Sequence, residues 1–429
     1  MSERPSTMQR LIQDHRDRFN GTPAQHHLLR CLARCRTAAA GTHRWQCTAC
    51  HHVDVVYNSC RNRHCPLCQS GDRSRWVRKR TAELLPVVYF HVVCTVPQQL
   101  HDLARVAPAF LYDLLMVASR QAIADLTRDP KHLGAEVGQI QVLHTWGRDL
   151  RLHPHVHSIV TGGGLTDDGN WRDCRRNRKR KKPFLVPVRC LSDRFRTLVI
   201  AGLQQAYRHG RFKDSDIDCA ATPENWQAFI GSLWSQRWIT YAKRPFGSAE
   251  QALRYLGRYT HRVAVTDARL SDYDGESVTL HWWDHCNGTK RQTRLTAQQF
   301  LQRFVRHQLP HGFRRLRMAG FLAPRVRQQR LEQARKLLVR RRRPAAQDAP
   351  QADRQEARPQ GERRCSACGQ GIMLVALIIR PVRGARPAVL VPRRWREQQS
   401  SHDMESSDAN DGRHRAIDGS WPAHGEPAA

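Results

Sequence analysis

The sequence predicts an α+β fold, preceded by a small zinc-ribbon-like domain. Residues 87–96 are rich in β-branched and aromatic side chains and end at Pro97, which is typical of a buried strand. Residues 100–126 have apolar side chains at helical spacing, and residues 138–146 and 152–160 follow as two further strands. The order strand, helix, strand, strand predicts a sheet with helices packed on one face.

The third of these strands carries His155 and His157, which are two residues apart. Side chains at i and i+2 point to the same face of a strand, so we expect both imidazoles to project together while Val156 faces the core. Two imidazoles on one face form half of a ligand set for a divalent metal ion. The alternative is a surface strand with histidines on its solvent side. Three glycines, Gly162–Gly164, predict a turn directly afterwards.

Two Cys-x-x-Cys motifs in the N-terminal part predict a structural zinc site. They are Cys47 with Cys50 and Cys65 with Cys68, separated by 14 residues. Each motif can present two thiolates to one tetrahedral zinc ion, and together they complete a closed site. The alternative is a set of buried free cysteines, which the surrounding polar and charged residues disfavour.

Other potential zinc ligands lie around these motifs. Cys60 and His64 are four residues apart, and Cys35 and His43 lie upstream. They form a second site or replace members of the first, so we expect about one or two zinc ions. A third motif, Cys365–Cys368, has no second pair after it and is interpreted as half of a degraded ribbon.

The charge balance indicates a polyanionic partner. The 429 residues include 71 Lys+Arg against 38 Asp+Glu, a formal net charge of +33, which favours nucleic acid. The apolar runs are too short to cross a bilayer, which takes ~20 residues, and the polar N-terminus has no apolar signal core. We therefore expect a cytoplasmic protein without a membrane partner.

Basic side chains near the motifs are candidate contacts to DNA phosphates. Arg61 and Arg63 lie on the rim of the zinc region. The alternative for every such group is a solvated charged surface. A dense basic run after the histidine strand contains Arg175, Arg176, Arg178, Lys179, Arg180, Lys181 and Lys182.

Residues 250–262 predict a helix that carries Tyr255 and Tyr259 as i,i+4 neighbours. Paired tyrosines at this spacing are usually core or interface residues. Beside the histidine strand a second interpretation arises, because a tyrosine phenolate can attack a DNA phosphodiester. A basic stripe on the same helix, expected to neutralise phosphate charge, consists of Arg254, Arg258 and Arg262.

Four stretches of the chain, in this order, resemble the two-tyrosine HUH transposases of the IS91 family. They are Tyr57–Pro66, His153–Leu165, Tyr255–Val265 and Leu309–Ala323, and they span most of residues 35–323. The resemblance implies an HUH nuclease domain with an antiparallel sheet and packed helices behind the zinc domain.

The resemblance also implies an activity. By it, Tyr255 and Tyr259 are the nucleophiles, and His155 and His157 are ligands of Mg²⁺ or Mn²⁺. The expected protein is a rolling-circle DNA transposase of the bacterial nucleoid, a metal-dependent single-strand endonuclease and strand transferase. It nicks single-stranded DNA at transposon ends and joins strands at the target through 5′-phosphotyrosine intermediates, with a contribution from host replication proteins. The resemblance leaves the oligomeric state open.

Two other functions fit the same motifs. A plasmid or phage rolling-circle replication initiator uses the same chemistry, and a non-catalytic zinc-finger DNA-binding protein would keep the fold without nicking. The HUH motif leaves the third metal ligand open, with His144, Glu250, Gln251 and His261 as candidates.

Composition and motifs divide the chain into five expected segments. Residues 1–34 are helical, 35–82 form the zinc-binding domain and 83–330 form the catalytic domain. Residues 331–364 are a basic linker rich in Pro, Ala and Gln, and 365–429 are a largely disordered tail with a lone Cys-x-x-Cys motif.

Overall fold

The computed structural model describes most of the chain between residues 6 and 390. The described residues are 6–176, 182–212, 217–243, 250–251, 253–254, 257, 265–284, 287–341, 363–379 and 389–390. They fall into two compact units, one made from residues 1–35 and 59–352 and the other from residues 36–58 and 353–429. Among the described residues, no helix is both long and apolar enough to cross a membrane.

Helices and strands follow one another in mixed order along the described residues. The helices are α1 Thr7–His15, α2 Pro23–Arg34, α3 Ser70–Thr81, α4 Leu100–Val106, α5 Pro108–Arg128, α6 Val188–Arg208, α7 Pro223–Ser235, α8 Ala297–Val305 and α9 Arg327–Arg341. The strands are β1 Thr42–Cys47, β2 Val53–Tyr57, β3 Tyr89–Thr95, β4 Glu136–Trp146, β5 Leu152–Leu165, β6 Trp171–Asp173, β7 Thr240–Lys243, β8 Leu270–Ser271, β9 Ser277–Asp284, β10 Thr289–Thr296, β11 Leu316–Gly320, β12 Arg363–Arg364, β13 Ile372–Ile379 and β14 Val389–Leu390. The predicted α+β class is confirmed.

A six-stranded antiparallel sheet forms the centre of the larger unit. Its strand order is β11-β4-β5-β3-β7, with β6 paired to the end of β5. In this register His144 of β4 lies opposite His155, and Val93 of β3 lies opposite His157. Because side chains alternate along a strand, these residues share one face while Val156 points to the other.

Helices α5 and α6 cover the apolar face of this sheet. Val156 is fully buried in the same core as Leu115 of α5. Burying an aliphatic side chain of this size stabilises the fold by about 1.5–3 kcal/mol. The single helix predicted over residues 100–126 is instead two helices that meet at Ala107, because Pro108 lacks an amide N–H and starts α5 at its first position.

The glycine triplet does not turn the chain, and the predicted turn is wrong. Strand β5 continues through it to Leu165. A Cβ on Gly164 would lie 2.3 Å from the carbonyl oxygen of Glu136, and a Cβ on Gly162 would lie 2.3 Å from Cγ2 of Val88. The glycines therefore allow neighbouring segments to approach the strand closely. A run of glycines in a sequence is compatible with either this role or a turn.

The histidine face of the sheet carries a smaller apolar cluster. Ile140 of β4 and Ile159 of β5 belong to it, and Leu253 is fully buried in the same cluster. Residues 250–251, 253–254 and 257 are helical. The described part of the predicted tyrosine helix therefore packs on this side of the sheet.

The N-terminal helices pack against a separate three-stranded sheet, β10-β9-β8, and against α8. Leu11 of α1 and Leu28 of α2 share a core with Phe300 of α8. Cys35 and Cys65 are buried in the same core, so the predicted helical segment 1–34 supports part of the zinc-binding region.

The smaller unit is a five-stranded antiparallel sheet, β12-β13-β1-β2, with β14 paired to β13. Strand β1 pairs with β2 on one side and with β13 on the other, from Thr42 opposite Ile379 to Cys47 opposite Met373. The expectation of a largely disordered tail is therefore wrong for residues 365–379, which include β13, the strand that pairs with the N-terminal hairpin. Residues 391–429 lie outside the described part of the chain.

Candidate functional site

Three histidines from two neighbouring strands converge on one face of the central sheet. The ligand nitrogens of His144, His155 and His157 lie within 4.8 Å of one another. The ring centroid of His144 lies 5.2 Å from that of His155 and 4.1 Å from that of His157. This grouping follows from the register, because His144 is directly opposite His155 and diagonal to His157. Three imidazole nitrogens at this spacing can hold one divalent metal ion.

The structure favours His144 among the candidates for the third metal ligand. His144 lies beside the predicted pair, whereas the Glu250 carboxylate forms an ion pair with Arg254 at 2.7 Å. His261 lies outside the described residues.

Two of the three imidazoles are oriented by groups outside the cluster. His155 Nδ1 lies 2.6 Å from the carbonyl oxygen of His153, so Nδ1–H donates and Nε2 keeps its lone pair. His157 Nδ1 lies 2.8 Å from Nε2 of His91, and their rings stack with centroids 5.0 Å apart. Such partners fix the tautomer and orientation of a ligand imidazole.

Sequence reasoning missed His91, although a signal for it exists. His91 lies two residues before Val93 on β3, and Val93 is directly opposite His157. A single imidazole on the otherwise apolar alternation of a buried strand is such a signal, but reading it requires the pairing of β3 with β5.

Burial keeps the clustered imidazoles neutral. It lowers the pKa of His155 to about 3 and the pKa of His91 to about 4. Burial, reinforced by the neighbouring histidines, holds the pKa of His144 and the pKa of His157 well below 6.5. Neutral imidazole is the form that binds a metal ion, so the cluster has the required donors at neutral pH.

The described residues contain two groups of four thiols. One group lies in the larger unit and the other in the smaller unit. In the larger unit, the Sγ atoms of Cys35 and Cys65 are 3.6 Å apart, and those of Cys60 and Cys68 are 3.7 Å apart. A tetrahedron with Zn–S bonds of about 2.3 Å has S–S edges of about 3.8 Å, so this group fits a closed zinc site. The second group consists of Cys47, Cys50, Cys365 and Cys368.

The predicted pairing of the two N-terminal motifs on one zinc ion is therefore wrong. Cys47 ends β1, and β1 pairs with β13, which brings in the C-terminal motif as its partner. Cys60 follows the β1–β2 hairpin, and its amide N–H lies 3.5 Å from Sγ of Cys35. Spacing alone does not identify these partners, because any two Cys-x-x-Cys motifs can complete a tetrahedron.

His64 and Arg63 have structural roles in place of the predicted metal and phosphate contacts. The Leu309 amide N–H donates to Nε2 of His64 at 3.1 Å, and burial lowers the pKa of His64 to about 3. The Arg63 guanidinium donates to the carbonyl oxygens of Leu309, Pro310 and Phe313 at 3.1, 2.7 and 2.8 Å. Both side chains hold the segment before β11 against the zinc-binding region.

The other basic candidates differ in their surroundings. The Arg175 guanidinium donates to the carbonyl oxygens of Lys131 and Pro130 at 2.7 and 3.0 Å, which ties down the start of the basic run. Arg61, Arg176, Lys182 and Arg254 are exposed. The predicted site residues outside the described part are Tyr255, Tyr259, Arg178, Lys179, Arg180, Lys181, Arg258 and Arg262.

Two family models match the chain, one described as a transposase zinc-binding domain over residues 7–96 and one as a putative transposase over residues 138–330. The chain is 39% identical over 379 residues to the putative transposase y4qJ of Sinorhizobium fredii, an alignment that covers 87% of this chain and 92% of that one. It is 29% identical over 300 residues to the transposase for insertion sequence element IS801 of Pseudomonas savastanoi pv. phaseolicola, covering 68% of each. Among solved structures, the metal-bound complex of the conjugative relaxase TrwC with oriT DNA has 10% identity and a TM-score of 0.23, covering 60% of this chain and 95% of that one.

Proposed function

Because this chain belongs to the IS91 family of transposases, we propose that it nicks single-stranded DNA at transposon ends and rejoins the strands during rolling-circle transposition. Tyr255 and Tyr259 are the proposed nucleophiles, each forming a 5′-phosphotyrosine intermediate in turn. The observation that carries the proposal is the cluster of His144, His155 and His157 on one face of the central sheet.

The histidine cluster is the proposed site of a catalytic divalent metal ion. Its three neutral imidazoles are suitable nitrogen ligands for such an ion, and His153 and His91 orient two of them. When bound there, the ion polarises a phosphodiester and stabilises the charge of an in-line displacement. Mg²⁺ prefers an octahedral shell of oxygen ligands, whereas nitrogen ligands are tolerated better by Mn²⁺, so Mn²⁺ is the expected better cofactor.

Two described residues support the assignment of the nucleophiles. Leu253 is buried on the histidine side of the sheet. A Cβ on Gly257 would lie 2.5 Å from Cγ2 of Val77, so the backbone there lies close to α3. Leu253 and Gly257, which lie on either side of Tyr255 in the sequence, therefore both have packing contacts. A free phenol has a pKa of about 10, so formation of the nucleophilic phenolate requires a cation nearby.

DNA binding is proposed to depend on backbone contacts from the basic surface. The net charge of +33 and the exposed Arg61, Arg176, Lys182 and Arg254 support it. Contacts of this kind release counterions, so the affinity for single-stranded ends and target falls steeply as salt rises. Host replication proteins are the proposed source of strand displacement.

A nicking assay tests the proposal. The substrates are single-stranded oligonucleotides with the end sequences of the DNA element that encodes the chain, incubated with Mn²⁺. We expect the wild type to form a covalent protein–DNA adduct, and Tyr255→Phe with Tyr259→Phe to form none. Tyr57→Phe, a change in an exposed tyrosine of the smaller unit, is the matched control and retains the adduct.

Two results would contradict the proposal. Equal adduct yield from the double phenylalanine variant and the wild type would exclude the two tyrosines as nucleophiles. Binding of the oligonucleotides without nicking, with either Mn²⁺ or Mg²⁺, would indicate a non-catalytic DNA-binding protein.

A further inference from the structure

The four thiols of the smaller unit come from two distant parts of the chain. Cys47 ends β1 and Cys50 lies between β1 and β2, whereas Cys365 and Cys368 lie between β12 and β13. The Sγ atoms of Cys47 and Cys368 are 3.7 Å apart, and those of Cys50 and Cys365 are 3.6 Å apart. A disulfide has an S–S bond of about 2.05 Å, whereas the edges of a zinc tetrathiolate are about 3.8 Å. The spacing is that of a metal site.

The two motifs have equivalent backbone geometry. The Ala49 amide N–H donates to Sγ of Cys47 at 3.3 Å, and the Ala367 amide N–H donates to Sγ of Cys365 at 3.4 Å. In each motif the donor lies two residues after the first cysteine. Amide donors of this kind stabilise thiolates, the form in which cysteine binds a metal ion.

The motifs are also fixed to each other independently of the thiols. The Thr48 amide N–H donates to the carbonyl oxygen of Ile372 at 3.0 Å, and the Ile372 amide N–H donates to Oγ1 of Thr48 at 3.1 Å. A Cβ on Gly371 would lie 2.3 Å from Sγ of Cys47, so glycine is required for this close approach. The backbone therefore brings the four sulfur atoms together.

We propose that Cys47, Cys50, Cys365 and Cys368 bind one structural zinc ion that joins the N-terminal hairpin to the C-terminal strand. The matched zinc-binding domain ends at residue 96, so half of this ligand set lies outside it.

The small apolar core of the smaller unit is the reason that the zinc ion has a structural role there. Among the described residues, the buried cluster of the smaller unit contains Cys47, Cys365 and Met373. A unit with so small a core needs an additional crosslink, and zinc binding supplies folding free energy directly. The ion therefore holds β13 in the sheet of the smaller unit.

Zinc stoichiometry of the purified full-length chain tests the proposal. We expect two zinc equivalents in the wild type, one for each four-thiol group. Cys365→Ser with Cys368→Ser is expected to retain one equivalent, as is Cys47→Ser with Cys50→Ser. Cys190→Ser, in an exposed cysteine outside both groups, retains two. A C-terminal double variant that still holds two equivalents overturns the proposal.

A second measurement uses the unaltered chain, because a substituted chain can fail to fold. The protein is titrated with a zinc chelator, and reactive thiols are alkylated and identified by mass spectrometry. We expect all four thiols to become reactive together as one zinc equivalent is released. Alkylation of Cys365 and Cys368 while both zinc equivalents remain bound overturns the shared site.

Discussion

The histidine cluster and the cysteine groups differ in what they leave open. Four thiolates complete a tetrahedron, so an ion held by Cys35, Cys60, Cys65 and Cys68 keeps no position for a substrate. Three imidazoles leave positions for water or a phosphate oxygen. The four-thiol groups are therefore suited to holding segments of the chain together, whereas the histidine cluster at the centre of the sheet is suited to chemistry.

The largest expected effect comes from removing a closed site of the larger unit. Binding at a structural zinc site contributes on the order of 10–16 kcal/mol, which matches the whole stability of a typical domain, about 5–15 kcal/mol. Cys35 and Cys65 share a core with α1 and α2. Cys60→Ser with Cys68→Ser is therefore expected to release one zinc equivalent and unfold this region, measured by thermal melting and limited proteolysis. Melting that matches the Cys190→Ser control would show that this site is not structural.

Removing the metal ligands of the histidine cluster is expected to abolish nicking without unfolding the chain. His155→Ala with His157→Ala should slow Mn²⁺-dependent nicking by about a thousandfold, because metal catalysis contributes several kcal/mol. Zinc content should remain at two equivalents. His209→Ala, in an exposed histidine at the end of α6, is the matched control. Unchanged nicking in the double variant would separate the histidine cluster from catalysis.

A smaller effect is expected from the partner of a ligand. His91→Phe keeps a ring against His157 but removes the Nε2 atom of His91, which lies 2.8 Å from Nδ1 of His157. Loss of such an orienting partner typically costs about 10–100-fold in metal affinity. We expect nicking to require that much more Mn²⁺ for half-maximal rate, with a smaller shift for His91→Gln, which keeps an acceptor. Superimposable Mn²⁺ titrations would rule out an orienting role.

The smallest expected effect concerns packing at the second closed site. Gly371→Ala places a methyl group against Sγ of Cys47, and overpacking of this kind costs about 1–3 kcal/mol. One zinc equivalent should then pass to a chelator about tenfold more readily. Gly231→Ala, where a Cβ meets nothing within 4 Å, is the control. Equal release from both variants would contradict the close packing inferred for the second site.

Local patterns predicted the parts of the molecule that depend on neighbours in sequence. The strand alternation correctly placed His155 and His157 on one face, opposite Val156, because that periodicity is a property of a single strand. His144 and His91 could not be assigned in this way. Their positions depend on how β4 and β3 pair with β5, and strand register is a tertiary property.

The cysteines show the same limit more sharply. The Cys-x-x-Cys spacing correctly predicted a zinc-binding domain, and Cys47 and Cys65 each lie in a group of four thiols that could hold a metal ion. The choice of partners was wrong, because Cys47 meets Cys368 only through the pairing of β1 with β13. The apparent isolation of the last motif was itself a usable signal, since half of a tetrahedral site implies another half elsewhere.

The most direct test of the central claim is to map the covalent protein–DNA bond. Wild-type chain is incubated with Mn²⁺ and a single-stranded end oligonucleotide, digested with protease and nuclease, and analysed by mass spectrometry. We expect a 5′-phosphonucleotide on the peptide that contains Tyr255 or Tyr259, and none in His155→Ala with His157→Ala. An adduct on another residue, or undiminished adduct in the histidine variant, would contradict the claim.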